Sequence, residues 1–237
     1  MTQIENLEAV LVRAVRLMDE YGVRYWITDG TLLGLIREGR VLPWDDDVDF
    51  GVLKSETSRS LLIDIFTNAG FAYIETLPEM DSLHFNEGSV QLDINMYTIE
   101  EGKLYIRWAV NPDHWLKKIA VQAINVIFED TKNINKIRAH SRKDLSYLKV
   151  LIQYAGRLFS TRCKEKMFSF AKRNYKFIGA VYPANLSKTK KIRYKEYSVY
   201  VPENSEEYLR LTYGNDWRIQ KRNFNWTDDT YNLEKLD

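Results

Sequence analysis

The N-terminal part of the chain places apolar side chains at the spacing of an α-helix. They recur every three or four positions from about Gln3 to Tyr21, and Gly22 stands where a helix C-terminal glycine is expected. The stretch from Ser58 to Ala69 repeats this spacing and is followed by Gly70. The pattern therefore predicts two amphipathic helices, each ended by a glycine.

Short runs rich in β-branched and aromatic residues alternate with these helices and are bounded by turn residues, which is typical of strands. The runs are Val23 to Thr28, Asp46 to Leu53, Phe71 to Glu75, Val90 to Tyr97 and Lys103 to Ala109. Between the first two strands we predict a short helix that ends at Arg37 and has Thr31 as its N-terminal cap. The order of the elements indicates an α+β fold.

The second half of the chain is predicted to be basic and mainly helical. Apolar residues return at helical spacing from about Asp144 to Ala171, with lysines and arginines between them. A last helix is predicted to end at Tyr213 and Gly214, with Trp217 packing back onto it. We therefore expect a core of residues 1–130, and a basic helical region with a C-terminal segment, residues 131–237, that packs on this core as one compact domain.

Composition excludes several classes of protein. The chain has 237 residues and is 45% hydrophobic, which is enough to bury a sizeable core. No apolar run approaches the roughly 18 residues of a membrane span, and the N-terminus lacks the order of a signal peptide, so we expect a cytoplasmic protein. A single cysteine, Cys163, and three scattered histidines exclude an internal disulfide and a zinc site. Any metal is expected to have oxygen ligands.

Four aspartates, Asp45, Asp46, Asp47 and Asp49, are crowded together before and within the second predicted strand. Side chains alternate along a strand, so Asp47 and Asp49 should point to one face while the opposite face is apolar. Two carboxylates this close repel each other unless a cation lies between them. We interpret Asp46 as a turn or hydrogen-bonding residue, and Asp45 either as a residue that supports the ligands or as a weaker ligand. The alternative is that the whole run is a solvated turn before a strand.

A third carboxylate is expected on the strand that begins at Val90. There Asp93 should share one face with Gln91 and Asn95, while the alternating apolar residues face the core. We predict that Asp47, Asp49 and Asp93 are the metal ligands and the catalytic residues. An all-oxygen set on rigid strands favours Mg²⁺, with Mn²⁺ as the alternative, when substrate phosphates complete the coordination.

The residues before the aspartates offer contacts to a phosphorylated donor. Gly30 and Thr31 lie at a strand-to-helix junction, where backbone amides can bind a phosphate. Arg37 can pair with a phosphate, and Trp44 can contact a cationic head group such as choline or else pack in the core. We predict that these four residues bind the donor. For Trp26, within a strand, we favour core packing.

The stretch GTLLGLIREGRVLPWDDDVDFGV resembles the signature of the LicD family of phosphotransferases, which includes fukutin-like enzymes and belongs to the nucleotidyltransferase superfamily. Two later stretches, LDINMY and VPENSEEYLRLTYGNDW, resemble further segments of that family. The chain departs from the family at Glu38, where many relatives have a histidine, and in the short segment before Asp93. The resemblance implies a mixed β-sheet that carries the metal aspartates and is flanked by helices.

The resemblance also implies an activity. The chain would transfer a substituted phosphate, such as phosphocholine, ribitol phosphate or glycerol phosphate, from a CDP-activated donor to a sugar hydroxyl of a cell-surface glycan. One alternative is a nucleotidyltransferase that adds a nucleotide to a small molecule, which would release pyrophosphate instead of CMP. Another is a non-catalytic module that binds a glycan or phosphate, although the chain keeps Asp47, Asp49 and Asp93.

The basic region from Lys132 to Lys195 has three interpretations. It can be a solvated helix surface, the usual meaning of scattered lysines and arginines. It can also bind an anionic acceptor, or rest on the inner face of an anionic membrane where a lipid-linked sugar is built. Binding of nucleic acid is disfavoured because the net charge is only +1 and the aromatic residues are not interleaved with the basic ones.

Overall fold

The computed structural model describes residues 2–74, 79–128, 158–221 and 232–236, together with residues 152, 155, 156 and 230. Contacts divide the chain into two compact units. The first unit comprises Met1–Trp108 and Ile178–Leu236, and the second comprises Ala109–Phe177. Within the described residues, no helix is both long enough and apolar enough to cross a membrane.

The fold is α+β, as predicted. In chain order the elements are α1 (Gln3–Glu20), β1 (Trp26–Ile27), α2 (Asp29–Arg37), β2 (Asp47–Leu53), α3 (Arg59–Asn68), β3 (Ala72–Ile74), β4 (Ser82–Glu87), β5 (Val90–Glu100), β6 (Lys103–Val110), α4 (Trp115–Phe128), α5 (Thr161–Asn174), β7 (Lys176–Pro183), a 3₁₀ turn (Ala184–Ser187), β8 (Thr189–Tyr194), β9 (Tyr197–Pro202), α6 (Ser205–Tyr213) and β10 (Leu233–Leu236).

One mixed sheet forms the centre of the first unit. Its strand order is β1-β2-β5-β6-β7-β10, and β4 pairs with both β3 and β5. Strands β2 and β5 are parallel, with Asp49 opposite Asp93, whereas β4 runs antiparallel to β5 and places His84 opposite Asp93. The three side chains therefore lie in one row across three neighbouring strands.

The apolar positions of β2 and β5 lie in the core, as the alternation predicts. Val48, Phe50 and Val52 are fully buried, and the helix α1 contacts both strands through its apolar face. A capping box of Thr2 and Glu5 closes the N-terminus of α1. Both predicted amphipathic helices, α1 and α3, are confirmed. The packed face holds the strands rigid and leaves the aspartates on the other face.

Three strands, β7, β8 and β9, lie within residues 176–202, where the sequence pattern predicts none. The hairpin of β8 and β9 buries Val199 and Val201 and exposes Lys190 and Lys191. Exposed lysines occur equally on the solvated face of a helix and on the solvated face of a hairpin. Charge alone therefore could not distinguish a helix from a hairpin in this segment. The end of the helix predicted from Asp144 to Ala171 lies within α5, and the part of it in residues 144–151, 153, 154 and 157 lies outside the described residues.

Candidate active site

Three carboxylates from two neighbouring strands converge at one place on the sheet. Asp47, Asp49 and Asp93 each offer one oxygen, and these oxygens lie within 4.8 Å of one another. The parallel register of β2 and β5 brings them together, because it sets Asp49 beside Asp93 on the same face. Asp45, Asp46 and Asp47 form an overlapping group by the same criterion. The structure thus assembles the three residues predicted as metal ligands.

Burial and mutual repulsion disturb the titration of these aspartates. Burial is the largest cause that raises the pKa of Asp49 well above its ordinary value, followed by the charges of Asp29, Asp45 and Asp93. The pKa of Asp47 is also raised well above its ordinary value, by burial and then by Asp49. A cation among the oxygens would relieve this repulsion. Because the donor atoms are all oxygens, the cluster fits a hard divalent cation.

The beginning of α2 lies against Asp49. The backbone amide of Thr31 donates to Oδ2 of Asp49 at 3.2 Å, and the Thr31 hydroxyl lies 3.3 Å from the same oxygen and accepts from the Asp49 amide at 2.9 Å. A Cβ atom at Gly30 would lie only 2.6 Å from Oδ2 of Asp45. The close approach of this turn to the aspartates therefore depends on glycine.

The prediction that Thr31 caps α2 is wrong. The helix begins at Asp29, so Thr31 lies inside its first turn, and Thr28 holds the N-terminal cap position without a capping hydrogen bond from its side chain. The Thr31 hydroxyl is used on Asp49 instead. Contact of Gly30 and Thr31 with a donor phosphate stays a prediction.

Arg37 lies at the opposite end of α2. Its guanidinium donates to the backbone oxygen of Trp217 at 3.3 Å and pairs with Glu38 at 3.0 Å. Along an α-helix the rise from Asp29 to Arg37 is roughly 12 Å. The structure therefore does not bring Arg37 to the aspartates, and its ordered partners account for its position.

The two tryptophans beside the motif differ in exposure. Trp44 is 55% exposed, which leaves its ring available to a ligand, and its contact with the donor stays a prediction. Trp26 is buried, and its indole covers Gly51 so closely that a Cβ there would lie 2.5 Å from the ring. Core packing of Trp26 is thus confirmed.

Two residues that were not predicted as part of the site, His84 and Gln91, hold Asp93. Nδ1 of His84 lies 2.8 Å from Oδ1 of Asp93, and Nε2 of Gln91 donates to the same oxygen at 2.8 Å. On the other side of the imidazole, Oγ of Ser82 lies 3.2 Å from Nε2 of His84. The side chain of His84 therefore fixes the orientation of a candidate ligand.

Asp29 extends the acidic face toward the C-terminal helix α6. Its Oδ1 accepts from the hydroxyl of Tyr208 at 3.1 Å, and its Oδ2 accepts from Nδ2 of Asn95 at 3.0 Å. Burial is the main cause that raises the pKa of Asp29 to about 6. The residue has a φ of 46°, a left-handed conformation that aspartate tolerates better than most residues. Asp29 thereby ties the start of α2 to β5 and α6.

Comparison with known proteins points to one family. Residues 22–118 match the family described as LicD/FKTN/FKRP, nucleotidyltransferase domain, and this range includes all three clustered aspartates. Ribitol 5-phosphate transferase FKRP of Mus musculus is 50% identical over 38 residues, which is 16% of this chain and 8% of that protein. Ribitol-5-phosphate transferase FKTN of Homo sapiens is 24% identical over 105 residues, 43% of this chain and 23% of that protein. The matches thus span less than a quarter of either relative.

A solved structure is also similar to this chain. It is the crystal structure of ANT(2")-Ia in complex with adenylyl-2"-tobramycin, at 16% sequence identity and a TM-score of 0.34. The similarity covers 70% of this chain and 98% of that one.

Proposed function

We propose that this chain, which belongs to the LicD family through its domain at residues 22–118, transfers a substituted phosphate from a CDP-activated donor to a sugar hydroxyl of a cell-surface glycan. The observation that carries the proposal is the convergence of Asp47, Asp49 and Asp93 on two neighbouring strands. Phosphoryl transfer depends mainly on positioning and on neutralising charge, which such a cluster can serve. The names of the relatives, ribitol-phosphate transferases, support a substituted phosphate as the transferred group.

In this proposal Asp47, Asp49 and Asp93 hold Mg²⁺ or Mn²⁺. A divalent cation at this place would neutralise charge on the phosphate oxygens. The chain itself supplies the positioning. Thr31 holds Asp49 through its amide and hydroxyl, while His84 and Gln91 hold Asp93.

Asp93 has two proposed roles. The main one is ligation, because its oxygen lies within 4.8 Å of the oxygens of Asp47 and Asp49. The second is to accept the proton of the attacking sugar hydroxyl. The hydroxyl oxygen then bonds to the phosphorus of the substituted phosphate, and the bond from that phosphorus to CMP breaks. The proton goes to the carboxylate, and CMP leaves.

We also propose contacts to the donor and to the acceptor. Gly30 and Thr31 are proposed to contact the donor phosphates from the start of α2, and Trp44 to contact its head group. Arg37 is the weakest of the predicted donor contacts, because Glu38 and Trp217 already engage it. The acceptor is proposed to be a glycan or a lipid-linked sugar, which the enzyme would meet in the cytoplasm, at the inner face of a membrane.

The products test this proposal. The purified chain is incubated with Mg²⁺, a glycan acceptor and CDP-choline, CDP-ribitol, CDP-glycerol or CDP-ethanolamine, and the release of CMP is measured. Faster CMP release from one donor supports the proposal. Nucleotidyl transfer is the second candidate, because the matched family description names a nucleotidyltransferase domain. Release of pyrophosphate from a nucleoside triphosphate, without CMP release from any CDP-linked donor, would establish that candidate instead.

A further inference from the structure

The helix α4 of the second unit exposes large apolar side chains. Trp115 is 64% exposed, Leu116 54% and Ile119 56%. With 3.6 residues per turn, these three side chains lie within an arc of roughly 100° around the helix. They form the apolar face of α4.

This face is distinct from the side of α4 that packs within the second unit. Val121 and Ile124 of α4 form a small core with Ala171 of α5, and Met167 and Tyr175 pack against that core. At helical spacing, Val121 and Ile124 point away from the apolar face. One side of α4 therefore packs in the described core of the second unit, and the apolar face lies outside that core.

The second unit, which carries the apolar face, is basic. In residues 109–128 and 158–177, the described segments of the second unit, lysines and arginines outnumber acids by eight to two. The cations are Lys117, Lys118, Arg162, Lys164, Lys166, Lys172, Arg173 and Lys176, and the acids are Asp113 and Glu165. Lys117 and Lys118 are both exposed. Around the helix Lys118 lies roughly 60° from Trp115, beside the apolar face, whereas Lys117 lies on the side of Val121 and Ile124. Among the acids, Asp113 pairs with Lys176.

We propose that the apolar face of α4 and the cations beside it bind the surface of an anionic lipid membrane. Aliphatic and indole side chains enter the boundary between head groups and acyl chains, while lysines and arginines contact anionic head groups. Nucleic acid fits less well, because Trp115 is the single ring of this face, and Leu116 and Ile119 offer neither a ring to bases nor charge to phosphates. This inference goes beyond the proposed chemistry and does not depend on it.

Vesicle binding by the full chain tests the proposal. Sedimentation with vesicles of phosphatidylcholine alone is compared with vesicles that also contain phosphatidylglycerol, at low and at high salt. We expect binding only to the anionic vesicles and weaker binding at high salt, because salt screens the attraction of exposed charges. Binding that ignores lipid charge, or no binding at low salt, would overturn the proposal.

Matched variants locate the surface. Lys118→Gln should weaken binding by roughly fivefold. Ile119→Ser should weaken it by roughly tenfold or more. The controls are Lys103→Gln with Lys190→Gln, and Ile219→Ser, which change exposed residues of the first unit and should bind as the unaltered chain does. Equal losses in test and control variants would overturn the assignment to α4.

Two other occupants of the face give different results. If a second copy of this chain covers it, sedimentation velocity would show a dimer that Ile119→Ser dissociates, without any binding to vesicles. If nucleic acid is the partner, the chain would bind duplex DNA or RNA and leave anionic vesicles unbound. Either result would overturn the proposal. All variants alter exposed side chains, and unchanged circular dichroism would verify that each one folds.

Discussion

Nδ1 of His84 lies 2.8 Å from Oδ1 of Asp93, so an imidazole holds one of the three clustered carboxylates. A hydrogen bond of this kind orients a metal ligand, and its loss typically lowers metal affinity. For this reason His84→Ala should lower the affinity for Mn²⁺ by roughly 10- to 100-fold, measured by calorimetric titration. His114→Ala, which removes an exposed histidine of the second unit, is the matched control. Unchanged affinity in the His84 variant would remove this residue from the site.

Thr31 supports Asp49 with its hydroxyl, which can be removed almost without change of shape. Thr31→Val leaves the Asp49 amide without its acceptor in a buried place, and this should lower the free energy of unfolding by about 1–3 kcal/mol. Thr31→Ser keeps the hydroxyl and should recover most of the loss. Thr67→Val is the control, because the Thr67 hydroxyl is exposed and bonds only within its own helix. Equal denaturant midpoints for the two Thr31 variants would contradict this role.

Two glycines of the same region should respond differently to alanine. In Gly51→Ala the new Cβ meets the Trp26 indole at 2.5 Å, so we expect a loss of about 1–3 kcal/mol or more in unfolding free energy. In Gly30→Ala the nearest atom is Oδ2 of Asp45, at the end of a side chain that can move. That variant should keep its melting temperature, because the Asp45 side chain can move aside. It should lose transfer activity, because the close approach of this turn to the aspartates depends on glycine. The reverse order of stabilities would contradict the packing described for Trp26.

The raised pKa values of Asp47 and Asp49 predict how pH affects metal binding. A carboxyl whose pKa is raised in the folded state binds more protons when folded than when unfolded. The ion-free protein therefore loses stability as the pH rises. The loss begins in the ordinary carboxyl range, near pH 4, and continues through the raised pKa values. The raised pKa of Asp29, about 6, acts in the same direction.

A cation replaces those protons, so the rise in melting temperature on adding Mg²⁺ should be small near pH 5 and larger near pH 8. Thermal denaturation at both pH values, with and without Mg²⁺, measures this difference. A stabilisation by Mg²⁺ that is greatest at the lower pH would contradict the assignment of these carboxylates to the metal.

Strand alternation explains how much of the site was predictable. The apolar residues of β2 and β5 fix which face enters the core, and so place Asp47, Asp49 and Asp93 on the other face. His84 was also within reach of prediction. A two-residue turn at Gly88 and Ser89 pairs Glu87 with Val90, which sets His84 opposite Asp93.

Other parts of the site could not be read from local pattern. The parallel register of β2 and β5 depends on tertiary packing, because the strands are joined by a long crossover and not by a tight turn. The hydrogen bond from Tyr208 to Asp29 joins residues 179 positions apart, and no spacing signals it. Arg37 is the opposite case. It is close to the aspartates in sequence, but it lies at the C-terminal end of α2, far from them in the structure.

We propose that the clustered aspartates perform metal-dependent transfer from a CDP-linked donor. The most direct test is the Mg²⁺-dependent release of CMP by Asp49→Asn, with Asp64→Asn, an exposed aspartate of α3, as the matched control. We predict that CMP release falls by roughly 10²-fold or more in the Asp49 variant, because in the proposed reaction the positioned carboxylates and a bound cation would supply most of the catalysis, and that the control keeps the full rate. Near-normal CMP release by Asp49→Asn, or the same rate after chelation of Mg²⁺, would contradict the claim.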